Sequence, residues 1–350
     1  LARLPLAPST GGPLADEKQA ADSFPDFRIS GYGRSRAVLK VQDGCSQGCA
    51  YCIVPLARGP ARSRPPAETL AEARRLLEAG FREIILSGVN LRQYRHGESR
   101  AAGKRQGDFW DLLAMLEAEL GPVWTGRARL RISSLEPGQL TPRALEVLGQ
   151  SRLLAPHLHL SLQSGSPAVL RRMGRDHYDP AGICSFLEAL RQYWPVFSLG
   201  ADMLTAFPAE TEAEFQETLA LCRKLPLSYA HVFPYSPRPG TLAAGLAGQT
   251  PGAEKKRRAA LLRLAAEEKR RDFLNLQLSL PVMRVIFEKG RAPGPDGVAV
   301  EERGKNDWCL ECRLEGPGLS APCGELTPVR PLRLSRGAIV VALAPQKEGR

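Results

Sequence analysis

The stretch "VQDGCSQGCAYCIVPLARGPARSRPP", Val41 to Pro66, sets Cys45, Cys49 and Cys52 within eight residues and follows them with Arg58, Arg62 and Arg64. Three thiolates spaced Cys-x3-Cys-x2-Cys can hold three irons of a cubane [4Fe–4S] cluster, leaving the fourth iron open to another ligand. Zinc is the rival for any thiolate group. A structural zinc takes four ligands, and the histidine closest to the loop, His96, is far along the chain. The spacing and the position of the loop directly after a strand favour the cluster.

The chain has eight cysteines in all. With no secretory signal, a disulfide framework is not expected. Cys184 and Cys222 sit in helical patterns and read as small buried hydrophobes. Cys309, Cys312 and Cys323 could make a second metal site, but "WCLECRLEG" reads as a strand. Residues three apart on a strand point to opposite faces, so these thiols read as structural.

The elements that must position the first loop follow a regular rhythm. Strands are expected at 36–41, 82–88, 128–134, 157–162, 198–207 and 229–235, in apolar runs that suit burial on both faces. Helical patterns lie between them at 65–80, 109–120, 141–149, 180–194 and 211–225; Thr211 and Glu214 form a capping box. Alternation of this kind gives a parallel sheet with right-handed crossovers. Six repeats are too few for a closed eight-fold barrel. The expected α/β fold is therefore an open, partial (β/α)6 barrel with its chemistry at the carboxyl ends of the strands. A long basic helix follows over 255–277. From Pro281 the texture turns to short alternating segments, read as a small antiparallel β-domain.

Composition bounds the function. A chain of 350 residues, 43% of them hydrophobic, is long enough for one large domain and a small one. No apolar run is long enough to span a bilayer, and the Pro- and Gly-broken start is no signal peptide, so a cytoplasmic location is expected. The start at Leu1 rather than Met leaves open that the chain is a fragment. A net charge of +11 fits a polyanionic partner or simply a soluble, arginine-rich surface.

The cysteine loop, with Tyr51 just before its third thiol, resembles the radical S-adenosylmethionine (SAM) superfamily. In that family the open iron chelates SAM, and reduction cleaves it to methionine and a 5′-deoxyadenosyl radical. "QDGCSQGCAYCIVPLARGPARSRPP", "EIILSGVNL", "LRISSLEP", "HLHLSLQSGSPAVLRRMGR" and "HVFPYSPRPGT" together resemble the methylthiotransferases over roughly residues 30–280. Gln42-Asp43-Gly44 and the last segment look most like the branch acting on N6-threonylcarbamoyladenosine in tRNA. That resemblance implies one [4Fe–4S] cluster on Cys45, Cys49 and Cys52, with SAM contacted by Ser87, Gly88, Asn90, Ser133, Ser134, Glu136, Gln163, Ser164 and Arg175. For each contact the plainer reading is a turn, a cap or a surface arginine.

The resemblance also implies tRNA as partner, an electron donor, a monomer, and a TRAM-like, RNA-binding β-domain. The division expected is 1–30 as linker or extension, 31–270 as radical SAM core and 281–345 as β-domain. Arg58, Arg62, Arg64 and the basic helix over 255–271 are the candidate tRNA contacts. Alternatives are another tRNA adenosine or a ribosomal protein as substrate, or an iron–sulfur RNA-binding module that never cleaves SAM.

Two features depart from the family. Ala206-Phe207-Pro208-Ala209-Glu210 replaces a Gly-Phe-Pro-Gly-Glu, and a left-handed backbone is not expected of alanine. The family's N-terminal domain, with three further cysteines for an auxiliary cluster, has no counterpart before Cys45. Either the chain is a fragment or the protein lacks the half that delivers sulfur.

Overall fold

A computed structural model of the chain describes residues 24, 35–97, 106–288, 302–315 and 321–345. The expected extension over 1–30 lies outside the described residues apart from Phe24.

Six strands run parallel in chain order: β1 (Ala37–Asp43), β3 (Glu83–Gly88), β4 (Arg129–Ile132), β5 (His157–Gln163), β6 (Ser198–Thr205) and β7 (Leu227–Pro234). Parallel bridges Leu130–Leu154 and Leu135–Leu160 join the β1-β3-β4 group to the β5-β6-β7 group. The outer edge of β1 pairs only with the two-residue antiparallel β2 (Arg62–Ser63), so the row stays open as expected. Helices α2 (Pro66–Glu78), α3 (Phe109–Trp124), α4 (Pro142–Gln150), α6 (Pro180–Leu190) and α7 (Glu212–Lys224) make the crossovers. Two short helices were not foreseen, α1 (Val54–Arg58) and α5 (Pro167–Arg172). The crossover helices start where their caps dictate: Asp108 and Asp111, and Thr211 and Glu214, form reciprocal capping boxes.

Strands β4, β5 and β6 are buried on both faces, whereas β7 leaves His231 and Phe233 exposed; the two faces also differ in kind. Leu158, Leu160, Leu162, Leu199, Ala201 and Met203 pack in the main apolar core with the helices. The alternate positions are polar: Arg129 and Arg131 on β4, and His157 and His159 on β5, are also buried.

Helix α8 (Gly252–Leu278) packs on β7 and α7 and then leads into a closed barrel of β8 (Met283–Phe287), β9 (Arg303–Asn306), β10 (Glu311–Leu314), β11 (Thr327–Ser335) and β12 (Ala338–Leu343), in the order β10-β12-β11-β8-β9. Its core includes Met283, Val285, Phe287, Cys312, Val329, Ile339 and Val341, together with Phe273 and Leu274 of α8. The expected all-antiparallel pairing is corrected at one seam, because β10 and β12 are parallel. Strand β11 escaped the sequence reading because Pro328 and Pro331 argue against a strand. The ladder tolerates them through a register shift between Pro331 and Arg333. Cys309 lies in a turn after β9, at φ 65°, rather than on a strand.

That turn, Asn306 to Cys309, closes the amino end of the parallel strands. Arg129 bonds Glu83 at 2.5 Å and Asp307 at 2.9 Å; Arg131 bonds Glu83 and donates to the carbonyls of Asn306 and Asp307. Trp308 donates its indole N–H to the Val196 carbonyl at 2.9 Å. The paired guanidinium groups hold the buried Glu83 carboxyl well below its usual range, against the opposing pull of burial.

Candidate cluster and cofactor site

The cysteine loop leaves the carboxyl end of β1 through Gly44, at φ +66°. A Cβ there would lie 1.9 Å from the Pro60 carbonyl oxygen, so the turn admits no side chain. The loop then folds back: Cys45 N–H donates to Gly59 O at 3.1 Å, and Ala50 N–H to Met173 O at 2.9 Å. Gln42, fully buried, ties the loop to the next strand. Its amide nitrogen donates to the carbonyls of Asp43 and Gly44, and its oxygen accepts from the backbone N–H of Asn90, each at 2.8 Å.

Two arms reach the thiols. Asn90 Nδ2 lies 3.5 Å from Cys45 Sγ and donates to Gln47 Oε1 at 2.8 Å. Arg175 Nη1 lies 3.7 Å from Cys49 Sγ; the same guanidinium bonds Glu136 at 3.2 and 2.5 Å and the Ser161 carbonyl at 2.6 Å. His177 Nε2 is 3.1 Å from Glu136 Oε2, and its ring meets Gln47 Nε2 on the other side. Burial pushes the Cys49 and Cys52 thiols up, and the Arg175 charge acts against it. Burial also pulls the Glu136 carboxyl up, but the His177 hydrogen bond and the Arg175 charge leave it below its usual range.

These residues fit a cluster better than a single ion. Cys45, Cys49 and Cys52 are free and partly exposed. They are not within 4.8 Å of one another as a set of three, whereas thiolates on one zinc at about 2.3 Å are closer than that. At the carboxyl end of β4, the buried Ser133 hydroxyl has no hydrogen-bond partner. An orphaned hydroxyl at the same end of the strands as the cysteine loop suits a polar cofactor.

The structure brings most of the expected residues to this end. Ser87 and Gly88 close β3, and Ser134 Oγ meets Ser161 Oγ at 3.1 Å. Gln163 closes β5 at φ 63°. Arg175 is buried rather than on the surface, and Glu136 engages it bidentately. Ser164 turns into the fold and meets Thr218 Oγ1 at 3.0 Å. Arg64 is buried, with its carbonyl bonded by the Tyr94 hydroxyl, so it is no surface contact for a polyanion; Arg58 stays half-exposed beside Asp43. Part of the basic helix is structural too, for Arg258 is buried against Glu210 and Glu254. Gln47 and His177 were missed as site residues. The polar run Arg175-Asp176-His177 just after Gly174 was the signal that could have found His177.

The comparisons with known proteins agree with this geometry. The family model described as "Radical SAM superfamily" matches residues 39–222. The chain is 37% identical over 256 residues to the threonylcarbamoyladenosine tRNA methylthiotransferase MtaB of Bacillus subtilis (strain 168), covering 73% of this chain and 54% of that protein. It is 36% identical over 325 residues to the tRNA-2-methylthio-N(6)-dimethylallyladenosine synthase of Ruegeria pomeroyi, covering 90% of this chain and 70% of that one. Among solved structures it resembles the radical S-adenosylmethionine methyltransferase TsrM of Kitasatospora setae, with cobalamin and a [4Fe-4S] cluster bound, at 15% identity and a TM-score of 0.49, over 59% of this chain and 38% of that one. The chain belongs to the radical SAM superfamily and, within it, to the methylthiotransferases. It spans about half the length of the MtaB relatives it matches.

Proposed function

We propose that this chain is the SAM-cleaving core of a tRNA methylthiotransferase that installs a methylthio group at carbon 2 of N6-threonylcarbamoyladenosine. The observation that carries the reading is the three-thiol loop at the carboxyl end of a parallel strand, with Arg175 and Asn90 directed at two of the sulfurs. Cys45, Cys49 and Cys52 would hold a [4Fe–4S] cluster, and Ser87, Gly88, Asn90, Ser133, Ser134, Glu136 and Gln163 would form the SAM pocket. When bound, the cluster supplies the electron that cleaves SAM to methionine and a 5′-deoxyadenosyl radical. Arg175 keeps positive charge beside Cys49, and Glu136 and His177 hold that guanidinium in place. An external electron donor is required.

The chain divides, in this reading, into a core over 31–270 and a TRAM-like, RNA-binding barrel over 281–345. The barrel's exposed Arg330 and Arg336 bind the phosphate backbone. Reversing each to Glu should weaken tRNA binding and lower the salt slope by about one for each arginine replaced. Equal slopes would remove the barrel from the interface. The core reading is tested by reconstituting the cluster anaerobically and measuring 5′-deoxyadenosine with SAM and a reductant; none above background overturns it. The similarity to the dimethylallyladenosine synthase supports a second reading, another tRNA adenosine as substrate. Mass spectrometry of nucleosides from both tRNA classes separates the two.

A further inference from the structure

The inner wall of the open barrel carries a second set of metal-ligating side chains, away from the cysteine loop. His159 on β5, Asp202 on β6 and His231 on β7 project from three adjacent strands. His159 Nε2 lies 3.1 Å from Asp202 Oδ2, and His231 Nδ1 lies 3.1 Å from Asp202 Oδ1. Among the described residues this is the one set of three histidine, cysteine or carboxylate ligands whose donor atoms all lie within 4.8 Å of one another.

The strand register builds the set. Asp202 and His231 are direct cross-strand partners, and Gly200 lies between His159 on one side and Tyr229 on the other. A Cβ on Gly200 would come 2.2 Å from the Tyr229 ring and 2.6 Å from His159 Nδ1. The missing side chain lets Tyr229 reach across β6, so that its hydroxyl lies 3.0 Å from His159 Nδ1 and 2.9 Å from His157 Nε2. One hydroxyl donates one hydrogen, so the two contacts must differ in direction. If His159 Nδ1–H donates to the Tyr229 oxygen and the hydroxyl donates to His157 Nε2, then His159 Nε2 is left as a lone-pair donor facing Asp202. This is the outer-sphere bond that orients a metal-ligating histidine.

We infer that His159, Asp202 and His231 bind one divalent transition-metal ion of the zinc, cobalt or iron(II) class. Two imidazoles and a carboxylate suit those ions rather than magnesium or calcium. Three protein donors leave coordination positions open to water or a ligand oxygen. The ion sits two residues along β5 from Ser161, whose carbonyl holds Arg175, and so lies deeper in the same barrel than the cysteine loop. The three ligands owe nothing to the proposed tRNA chemistry.

The test is zinc uptake by the cluster-loaded chain under anaerobic conditions. Equilibrium dialysis against micromolar zinc, with zinc and iron counted by elemental mass spectrometry, should give about one zinc beside the cluster iron. Asp202→Ala and His231→Ala should each remove it while the iron count stays unchanged. Tyr229→Phe should weaken zinc binding by roughly 10- to 100-fold, as loss of an outer-sphere partner does. A Cys45→Ser/Cys49→Ser/Cys52→Ser chain should still take up its zinc, with the iron gone. His231 is half-exposed, so His231→Ala decides the matter even if Asp202→Ala fails to fold. A wild-type chain without zinc, or zinc that survives His231→Ala, would show a purely hydrogen-bonded His–Asp–His row and overturn the site.

Discussion

The two ends of the parallel strands are built on opposite plans. At the amino end, Glu83, Arg129, Arg131 and Asp307 are buried and paired, and a turn of the small barrel closes over them. At the carboxyl end the polar groups are less completely satisfied: three partly exposed thiols, an orphaned Ser133 hydroxyl, and a guanidinium shared among a sulfur, a carboxylate and a carbonyl. A closed ionic network stabilises, whereas an incompletely paired one awaits a ligand. The contrast follows the general division of such barrels into a stability face and a catalytic face.

The largest effects should separate the ends cleanly. Cys45→Ala, Cys49→Ala or Cys52→Ala should abolish the brown cluster absorbance and all 5′-deoxyadenosine formation with little change in the urea midpoint. Cys184→Ala should do neither, because it sits in α6 and packs against the apolar core. Cluster absorbance and product formation that survive in the triple-loop variant would sink the assignment of the carboxyl end. Glu83→Ala should act in reverse. It takes from the buried Arg131 its carboxylate partner and leaves the buried Arg129 with Asp307 alone, which costs about 3–5 kcal/mol, and limited proteolysis should then cut α8 and the small barrel. Glu119→Ala, which removes an exposed partner of Arg74, should cost less than about 1 kcal/mol. Equal urea midpoints for the two variants would refute the structural role of the amino end.

A smaller effect belongs to pH. His157, at the amino end of β5, is held neutral well below the usual imidazole range, by burial first and then by the charge of Arg131. The unfolded chain takes up a proton near pH 6.5 that the native state refuses. Stability from this residue is therefore complete above about 6.5 and falls as pH drops, by at most about 1.4 kcal/mol per pH unit. Glu136 and Asp202, whose carboxyls are lowered, lose their contribution only in more acidic solution. Urea midpoints at pH 7.5, 6 and 5 should decline in the wild type and flatten in His157→Gln; parallel slopes would rule His157 out.

The sequence made the carboxyl end far more legible than the amino end. All six parallel strands fall where apolar runs and turn residues put them, and the thiol spacing pointed to its chemistry directly. The closure at the amino end was hidden because it joins Arg129 and Arg131 to a turn some 176 residues away, a pairing no local pattern encodes. The inner-face histidines were hidden for a related reason. "HLHLSLQ" reads as a strand from its leucines, while the partners of His159 lie on two later strands. The bond between Arg175 and Glu136 was not legible in the sequence, since only the fold brings the two together.

The smallest effect tests the turn after β6, where alanine was not expected to take a glycine-like backbone. Ala206 and Ala209 take it nonetheless, at φ 60° and 58°. Neighbours enforce the shape: Ala206 N–H donates to the Glu210 carboxylate, which pairs with Arg258 at 3.1 Å, and Ala209 N–H donates to Gly248 O at 2.8 Å. Left-handed backbone costs an L-residue about 1–2 kcal/mol, and glycine relieves it at some entropic loss. The two sites should nevertheless respond differently. Ala209 is exposed, so Ala209→Gly should stabilise by about 0.5–1 kcal/mol. Ala206 is fully buried, and removing its methyl forfeits about 0.8 kcal/mol of burial. Ala206→Gly should therefore be close to neutral. A thermal shift of a few degrees upward for Ala209→Gly alone is the expected result; a destabilised Ala209→Gly would mean that the turn is not held in the left-handed region at all.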